Sequence, residues 1–308
     1  MCRRPRAVDG EPALHPGADP FRGERHCRAA SCLKASYSEL TPVICTGPGR
    51  GAPARPFPRR CPGYLKHVAS EEQVCPASVF VDVDGTLLDT TYLHTYAWWR
   101  ALDDAHHRLA MAVIHPLIGL GSSELLTTLV GADDRSIAEA HAKYFACFRP
   151  FVRALPGASD LLRRINAGGG QIVLVTSSAK SELPGLLGPL KCDDVITDVV
   201  HGGMARRSKP SPDLFEVAVA RAGADRDRSL ALGDTVWDIQ AATRAAVACV
   251  AVETGGTDSI RLEEAGALAV YSGCDEILGR WDTTPFAALM GAEERTDDRT
   301  GAQEKLVS

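Results

Sequence analysis

Val79-Phe80-Val81-Asp82-Val83-Asp84-Gly85-Thr86-Leu87 decides how the rest of this chain is read. An apolar, β-branched run delivers two carboxylates, two residues apart, onto a Gly-Thr turn. Residues two apart on a strand point to the same side, so Asp82 and Asp84 are neighbours where the strand ends, and Gly85 lets the backbone turn tightly. The pair suits attack on a phosphate ester. Asp82 is placed to act as a nucleophile, and Asp84 to give a proton to the leaving group and later take one from water. The competing reading of an isolated Asp-x-Asp is a solvated strand end.

A carboxylate and a phosphate at about 4 Å repel by roughly 4 kcal/mol per pair of unit charges at an effective dielectric near 20, so such a site needs cations. Asp234 and Asp238, in Leu232-Gly233-Asp234-Thr235-Val236-Trp237-Asp238, follow a second apolar strand-like run and stand four apart where a helix opens. They extend the acidic cluster into an oxygen-rich site for Mg²⁺, which binds one or two carboxylates together with water and substrate phosphate. Helix N-capping is the competing reading for both. Lys209, in Ser208-Lys209-Pro210-Ser211-Pro212, supplies a second cation on a stretch stiffened by two prolines; its competing reading is a solvated surface lysine. Thr176, closing Gln171-Ile172-Val173-Leu174-Val175 and followed by Ser177 and Ser178, offers a hydroxyl and backbone N–H groups at an expected strand-to-helix junction. Such junctions bind anions, although a Ser/Thr helix cap has the same appearance.

In chain order, Asp-x-Asp-Gly-Thr, strand-Thr, Lys-Pro and Gly-Asp-x-x-x-Asp together resemble the four motifs of the haloacid dehalogenase-like (HAD) hydrolase superfamily. The resemblance covers about residues 77 to 280. Around Asp82, Lys209 and Asp234 the chain is similar to the phosphoglycolate phosphatase and β-phosphoglucomutase branch. The resemblance implies that Asp82 becomes an aspartyl-phosphate and that Asp84 is the general acid/base. It implies Mg²⁺ bound by Asp82, the Asp84 carbonyl and Asp234, with Asp238 assisting from the same loop. Gly85, Thr176, Ser177 and Lys209 are the expected phosphate-binding residues. The acid at Asp84 is absent from the dehalogenases and phosphonate-cleaving members, which points to phosphate esters. One departure is Ala245-Ala246-Val247, where relatives often carry Ala-Gly-Val; a local packing adjustment is expected there.

The chain of 308 residues with 45% hydrophobic residues has enough apolar material for a core, but its composition is uneven. Residues 1–76 hold 12 Lys/Arg and 7 Asp/Glu, a net of +5, and leave −10 for the remainder. They also hold 11 of the 19 prolines and 6 of the 10 cysteines, with no sustained helix or strand period, so a disordered basic extension is expected. Zinc is not expected from His26, Cys27, Cys32, Cys45 and Cys61, whose spacings are irregular and include no Cys-x-x-Cys. Nor is nucleic acid, for want of aromatics and a compact basic motif. A further expectation is translation from an upstream start, with the natural chain beginning near Val68 or Val74. No run of about 20 apolar residues suggests a membrane span, and the Arg-rich start lacks the apolar segment of a secretory signal, so a cytoplasmic location is expected. Cys147, Cys192, Cys249 and Cys274 sit singly among apolar residues and are read as reduced core residues.

From Val79 onward β-rich runs alternate with helical patterns, which predicts an α/β fold with a Rossmann-like parallel sheet and an inserted α-helical cap. Strands are expected near 78–83, 171–176, 194–198, 229–233, 247–252 and 267–271. Helices are expected near 156–167, 180–188, 212–223, 236–246, 257–265 and 274–280. The core is then 77–89 and 155–281, and 282–308 is a flexible tail. The cap is 90–154, with helical segments at 92–99, 101–114, 122–130 and 137–148. In the family, such a cap opens for substrate and closes to exclude water. The competing reading is a helical subdomain without gating.

Gly119, Gly121 and Ser122, in Ile118-Gly119-Leu120-Gly121-Ser122-Ser123, form the candidate substrate-specificity loop, because glycines permit close backbone approach and serine bonds a polar leaving group. His94, His106, His107, His115 and His141 are read mostly as partly buried or surface residues, and Tyr92, Tyr96, Trp98 and Trp99 as cap core. Gly168-Gly169-Gly170 precedes a strand and is read as a turn. The expected activity is Mg²⁺-dependent hydrolysis of a small phosphorylated metabolite. The alternatives are a phosphosugar mutase of the β-phosphoglucomutase type and a binding protein without turnover. The sequence carries no signal for oligomeric state.

Overall fold

The structure, a computed structural model, describes residues 75–183 and 185–291. Residues 1–74 of the expected basic extension, with all its cysteines but Cys75, the start near Val68 or Val74 and the end of the tail lie outside the described residues.

Six strands form one parallel sheet: β1 (Ser78–Val81), β2 (Gln171–Val175), β3 (Asp198–Val200), β4 (Ser229–Gly233), β5 (Ala248–Val252) and β6 (Ala269–Tyr271), in spatial order β3-β2-β1-β4-β5-β6. Thus β1 is central, with Phe80 opposite Val173 on one side and Ala231 on the other. Both faces are covered, which explains why these strands read as continuous apolar runs. Val79, Val81, Ile172, Leu174, Leu230 and Leu232 face helices α5 (Ala158–Ala167), α9 (Cys274–Gly279) and α10 (Pro285–Gly291). Phe80, Val173, Val175, Ala231 and Cys249 face α6 (Asp213–Ala222), α7 (Val236–Arg244) and α8 (Ser259–Glu264). Alternate residues of each strand therefore serve opposite layers, as the two-residue period requires.

Between β1 and β2 run α1 (Thr91–Asp104), α2 (Met111–Ile114), α3 (Ser122–Val130) and α4 (Arg135–Ala146). They share their own apolar cluster around Trp98, Leu102, Ile114, Leu126 and Ile137. The insertion leaves and returns on two chain segments that lie side by side: Leu88 and Ala154 form an antiparallel bridge, and Asp89 N–H donates to Arg153 O at 3.0 Å. Among the described residues no helix is long and apolar enough to cross a membrane.

Several boundaries differ from expectation. The strand expected at 194–198 begins only at Asp198; Val195 N–H bonds back to Cys192 O at 3.0 Å, so a turn occupies the earlier apolar residues. Among the described residues of 180–188 no α-helix forms. That stretch contains Pro184, which has no N–H to donate, and Gly185 has φ +86, so turns lead to a 3₁₀ turn at Gly188–Leu190. In the insertion α1 runs unbroken from Thr91 through Asp104, and His106, at φ +65, separates it from α2. The fourth segment starts at Arg135 because the Asp134 side chain accepts the Ser136 N–H and fixes the N-cap. The expected tail from 282 is in part a helix: Phe286 and Met290 of α10 are buried in the core. Cys192, Cys249 and Cys274 are buried as expected, whereas Cys147 is exposed. Tyr92 is also exposed, at 61%, rather than part of a helical core.

Ala246, outside any packed layer, has φ +56. The departure from Ala-Gly-Val is thus a matter of backbone conformation, not packing: alanine occupies the left-handed region that glycine adopts without cost.

Candidate active site

Asp82 is the first residue past β1, and its N–H still donates to Leu232 O of β4 at 2.8 Å, which locks the start of the loop to the sheet. Its carboxylate is 6% exposed. Oδ1 pairs with the ammonium of Lys209, and the Thr86 hydroxyl lies 3.4 Å from Oδ2. Gly85, at φ +87, makes the turn; a Cβ there would fall 2.8 Å from Asp234 Cγ and closer still to Thr91 Oγ1. The Gly85 N–H donates to Leu88 O at 2.8 Å and closes the turn. Gly85 provides space, not a free donor.

Lys209 is wholly buried, so the surface reading fails. Besides Asp82, Nζ lies 2.7 Å from Asp238 Oδ1 and donates to Val175 O at 3.0 Å. Asp238 takes part both in helix capping and in the acidic cluster. As the third helical residue of α7 it closes a capping box with Thr235, and it also faces the ammonium. Asp234, just beyond β4, accepts from Thr86 Oγ1 at 2.8 Å through Oδ1. Its Oδ2 is buried and has no hydrogen-bond partner among the described residues.

Oxygens of Asp82, Asp234 and Asp238 all lie within 4.8 Å of one another. Three carboxylates surround one lysine. Burial, followed for Asp82 by the charges of Asp238 and Asp84 working against Lys209, pushes its carboxyl up to about 7; burial and the charges of Asp82 and Asp238 push Asp234 well above the ordinary range. Lys209 is raised by Asp238 and Asp82 despite burial, and stays an ammonium. A buried orphan oxygen within an excess of carboxylates is a donor set that fits a hard divalent cation such as Mg²⁺.

Asp84 points away from that cluster, toward a separate set of donors. Oδ1 accepts from Thr90 Oγ1 at 2.8 Å and lies 3.3 Å from His94 Nε2; Oδ2 accepts from Ser178 Oγ at 2.9 Å. Burial acts to raise this carboxyl, but the charge and hydrogen bond of His94 and the hydroxyls of Thr90 and Ser178 prevail, and the pKa falls to about 2. His94 Nδ1 in turn lies 3.1 Å from Nε2 of His141, which burial and the charge of His94 hold well below the usual imidazole value. Stacked rings of Trp98, His141, His94 and Phe145 fix this arrangement. Reading the sequence linked neither His94 nor Ser178 to Asp84. The available signal was helical: Thr90 and His94, four apart at the start of α1, lie on one face, directly after the Asp-x-Asp turn.

Thr176 follows β2, is 1% exposed, and lies with Oγ1 3.4 Å from Asp84 Oδ2. Its oxygen also accepts the Ser178 N–H at 3.0 Å, but turns rather than a helix follow, so neither the expected strand-to-helix junction nor a helix cap forms there. Ser177 directs its hydroxyl to Gly119 O at 2.9 Å, toward the inserted helices.

Asp82, Asp84 and Thr176 open into a cavity of about 640 Å³ between the sheet edge and the insertion. Parallel sheets bind ligands at this carboxyl edge. Gly119, Gly121 and Ser122 line it. The close backbone approach is real: a Cβ on Gly121 would stand 2.5 Å from Ser208 Cβ. Glu124 Oε1 accepts the Ser208 N–H at 3.0 Å and Trp237 Nε1 donates to Pro116 O at 3.0 Å, so the loop rests on the segments that carry Lys209 and Asp238. Of the remaining insertion histidines, His115 lies 3.0 Å from Gly255 O, and His106 and His107 are exposed.

Comparison with known proteins agrees with this geometry. The sequence profile of the haloacid dehalogenase-like hydrolase family matches residues 79–252. A phosphoglycolate phosphatase of Rhodospirillum rubrum is 28% identical over 245 residues, which cover 75% of this chain and 98% of that protein. One from Pseudomonas syringae pv. syringae is 28% identical over 58% of this chain and 70% of its own length. Among solved structures, a hydrolase from Pseudomonas syringae superposes with a TM-score of 0.64 at 34% identity, covering 67% of this chain and 98% of that one. CbbY from Rhodobacter sphaeroides in complex with phosphate shares the fold, with a TM-score of 0.56 at 20% identity over 66% of this chain and 96% of that one. With a parallel sheet whose carboxyl edge carries the acidic cluster, and a profile match from the first strand through the fifth, the chain belongs to the haloacid dehalogenase-like hydrolase family.

Proposed function

We propose that this protein is a Mg²⁺-dependent phosphatase that hydrolyses a small cytoplasmic phosphate monoester through an aspartyl-phosphate on Asp82. The observation that carries the reading is the pairing of Asp82 with buried Lys209 at the end of the central strand, with Asp84 opening into the same cavity. An Asp82 oxygen forms a bond to phosphorus as the ester P–O bond breaks, and Asp84 gives its proton to the departing oxygen. Asp84 then takes a proton from water, whose oxygen attacks phosphorus and releases Asp82 and inorganic phosphate.

Asp84 is ionised in the ligand-free protein, and a phosphate dianion beside it favours the protonated form that the first step requires. Lys209, held by Asp238 and the Val175 carbonyl, opposes the charge that builds on the phosphoryl oxygens. Asp82, Asp234 and the Asp84 carbonyl are the residues that would hold Mg²⁺, whose charge offsets that of the phosphate and the carboxylates. Helices α1–α4 act as the cap over the reaction, and their 118–124 loop meets the leaving group.

The test is phosphate release from phosphoglycolate, sugar phosphates, nucleotides and pyridoxal phosphate, with Mg²⁺ and with EDTA, beside Asp82→Asn. Release that needs the metal and disappears in folded Asp82→Asn protein supports the reading. Isomerised sugar phosphate without free phosphate would assign the chain as a mutase, and normal turnover by Asp82→Asn would remove the nucleophile.

A further inference from the structure

Beyond Asp82 and Asp84, the cavity is lined by five formally charged side chains: Glu124, Arg135, Glu139, Glu182 and Arg206. Four are committed. Glu124 holds the Ser208 N–H, Arg135 Nε donates to Glu139 Oε1 at 3.0 Å, and Glu182 Oε2 accepts the Ala179 N–H at 2.8 Å. Arg206 has no hydrogen-bond or ion-pair partner among the described residues, whereas its neighbour Arg207 pairs with Asp213 at 3.0 Å.

Resting on the phosphatase reading, we propose that Arg206 binds a second anionic group at the far end of the substrate. The preferred esters then carry a carboxylate or a second phosphate besides the phosphoryl group that is transferred. Three pieces of geometry and chemistry carry this. First, Arg206 stands three residues before Lys209 on one loop, and three residues span at most about 10 Å, so the anchor for the reacting phosphoryl group and the free guanidinium serve opposite ends of one small molecule. Second, acids outnumber bases on these walls, so a second anion is repelled unless a cation meets it, and only Arg206 has its charge unspent. Third, a guanidinium presents a planar fork of donors that matches either a carboxylate or a phosphate.

The experiment compares kcat/KM for phosphoglycolate, fructose 1,6-bisphosphate and p-nitrophenyl phosphate, with Mg²⁺, in the full chain and in Arg206→Ala, Arg206→Lys and Arg207→Ala. The expected result is that the ratio of an anionic substrate to p-nitrophenyl phosphate falls about tenfold or more in Arg206→Ala, mainly through KM. Arg206→Lys recovers part of the ratio, and Arg207→Ala leaves it within twofold. Whichever of the first two substrates loses its advantage names the group as carboxylate or phosphate. An unchanged ratio in Arg206→Ala, an equal fall in Arg207→Ala, or a wild type that prefers p-nitrophenyl phosphate overturns the assignment of Arg206 and leaves the phosphatase reading intact. No phosphate release from any of the three overturns the phosphatase reading itself.

Discussion

At the scale of single residues, Asp82, Asp84, Lys209 and Asp234 were legible because the aspartates follow apolar strand runs, the lysine directly precedes a proline-stiffened stretch, and the four occur in a fixed order. What surrounds Asp84 was not, because His94 and His141 come from α1 and α4, and only folding brings α4 against α1. His94→Ala is expected to lower kcat by at least about tenfold with the fold retained, since Asp84 loses the partner that orients it; steady-state phosphate release beside circular dichroism checks this. Ala246, at φ +56, makes an opposite kind of prediction. Ala246→Gly should stabilise the protein by about 1 kcal/mol, read as a higher urea midpoint, because glycine removes the left-handed penalty at an exposed site with no packing to lose.

At the scale of elements, five of the six strands and most helices follow from hydrophobic runs between turn signals. The misplacements share a cause: tertiary contacts decided what local pattern left balanced. Val195 packs into the core from a turn, so its apolar neighbours looked like strand. Helix α10 is short and follows a polar stretch, and its reason to exist lies in Gly168 and Gly170, against which Met290 packs. Because Phe286 is completely buried against the sheet layer, Phe286→Ala should cost about 3–5 kcal/mol, measurable by denaturant unfolding. If the residues after Trp281 were merely a tail, that substitution would have little effect.

At the scale of the whole molecule, the acidic cluster ties stability to pH and metal. Asp82 and Asp234 have folded values above their unfolded 3.8, so their protonated forms are favoured by folding. For Asp82 that stabilisation is complete below about pH 4 and is lost as pH rises through about 7, and Asp234 shifts in the same direction. In EDTA the thermal midpoint should therefore fall between pH 5.5 and 8, and Mg²⁺ should raise it more at pH 8 than at pH 5.5; a midpoint indifferent to both would deny the cluster its cation. The paired segments at Leu88 and Ala154 bear on the molecule's history as much as on its chemistry. A block of four helices that enters and leaves through adjacent rungs of one bridge is a cassette: joining Asp89 to Arg153 across their hydrogen bond would close the gap without disturbing the pairing of β1 with β2. The inserted helices can thus vary in sequence while the sheet edge that carries Asp82, Lys209 and Asp234 keeps its strands and their order.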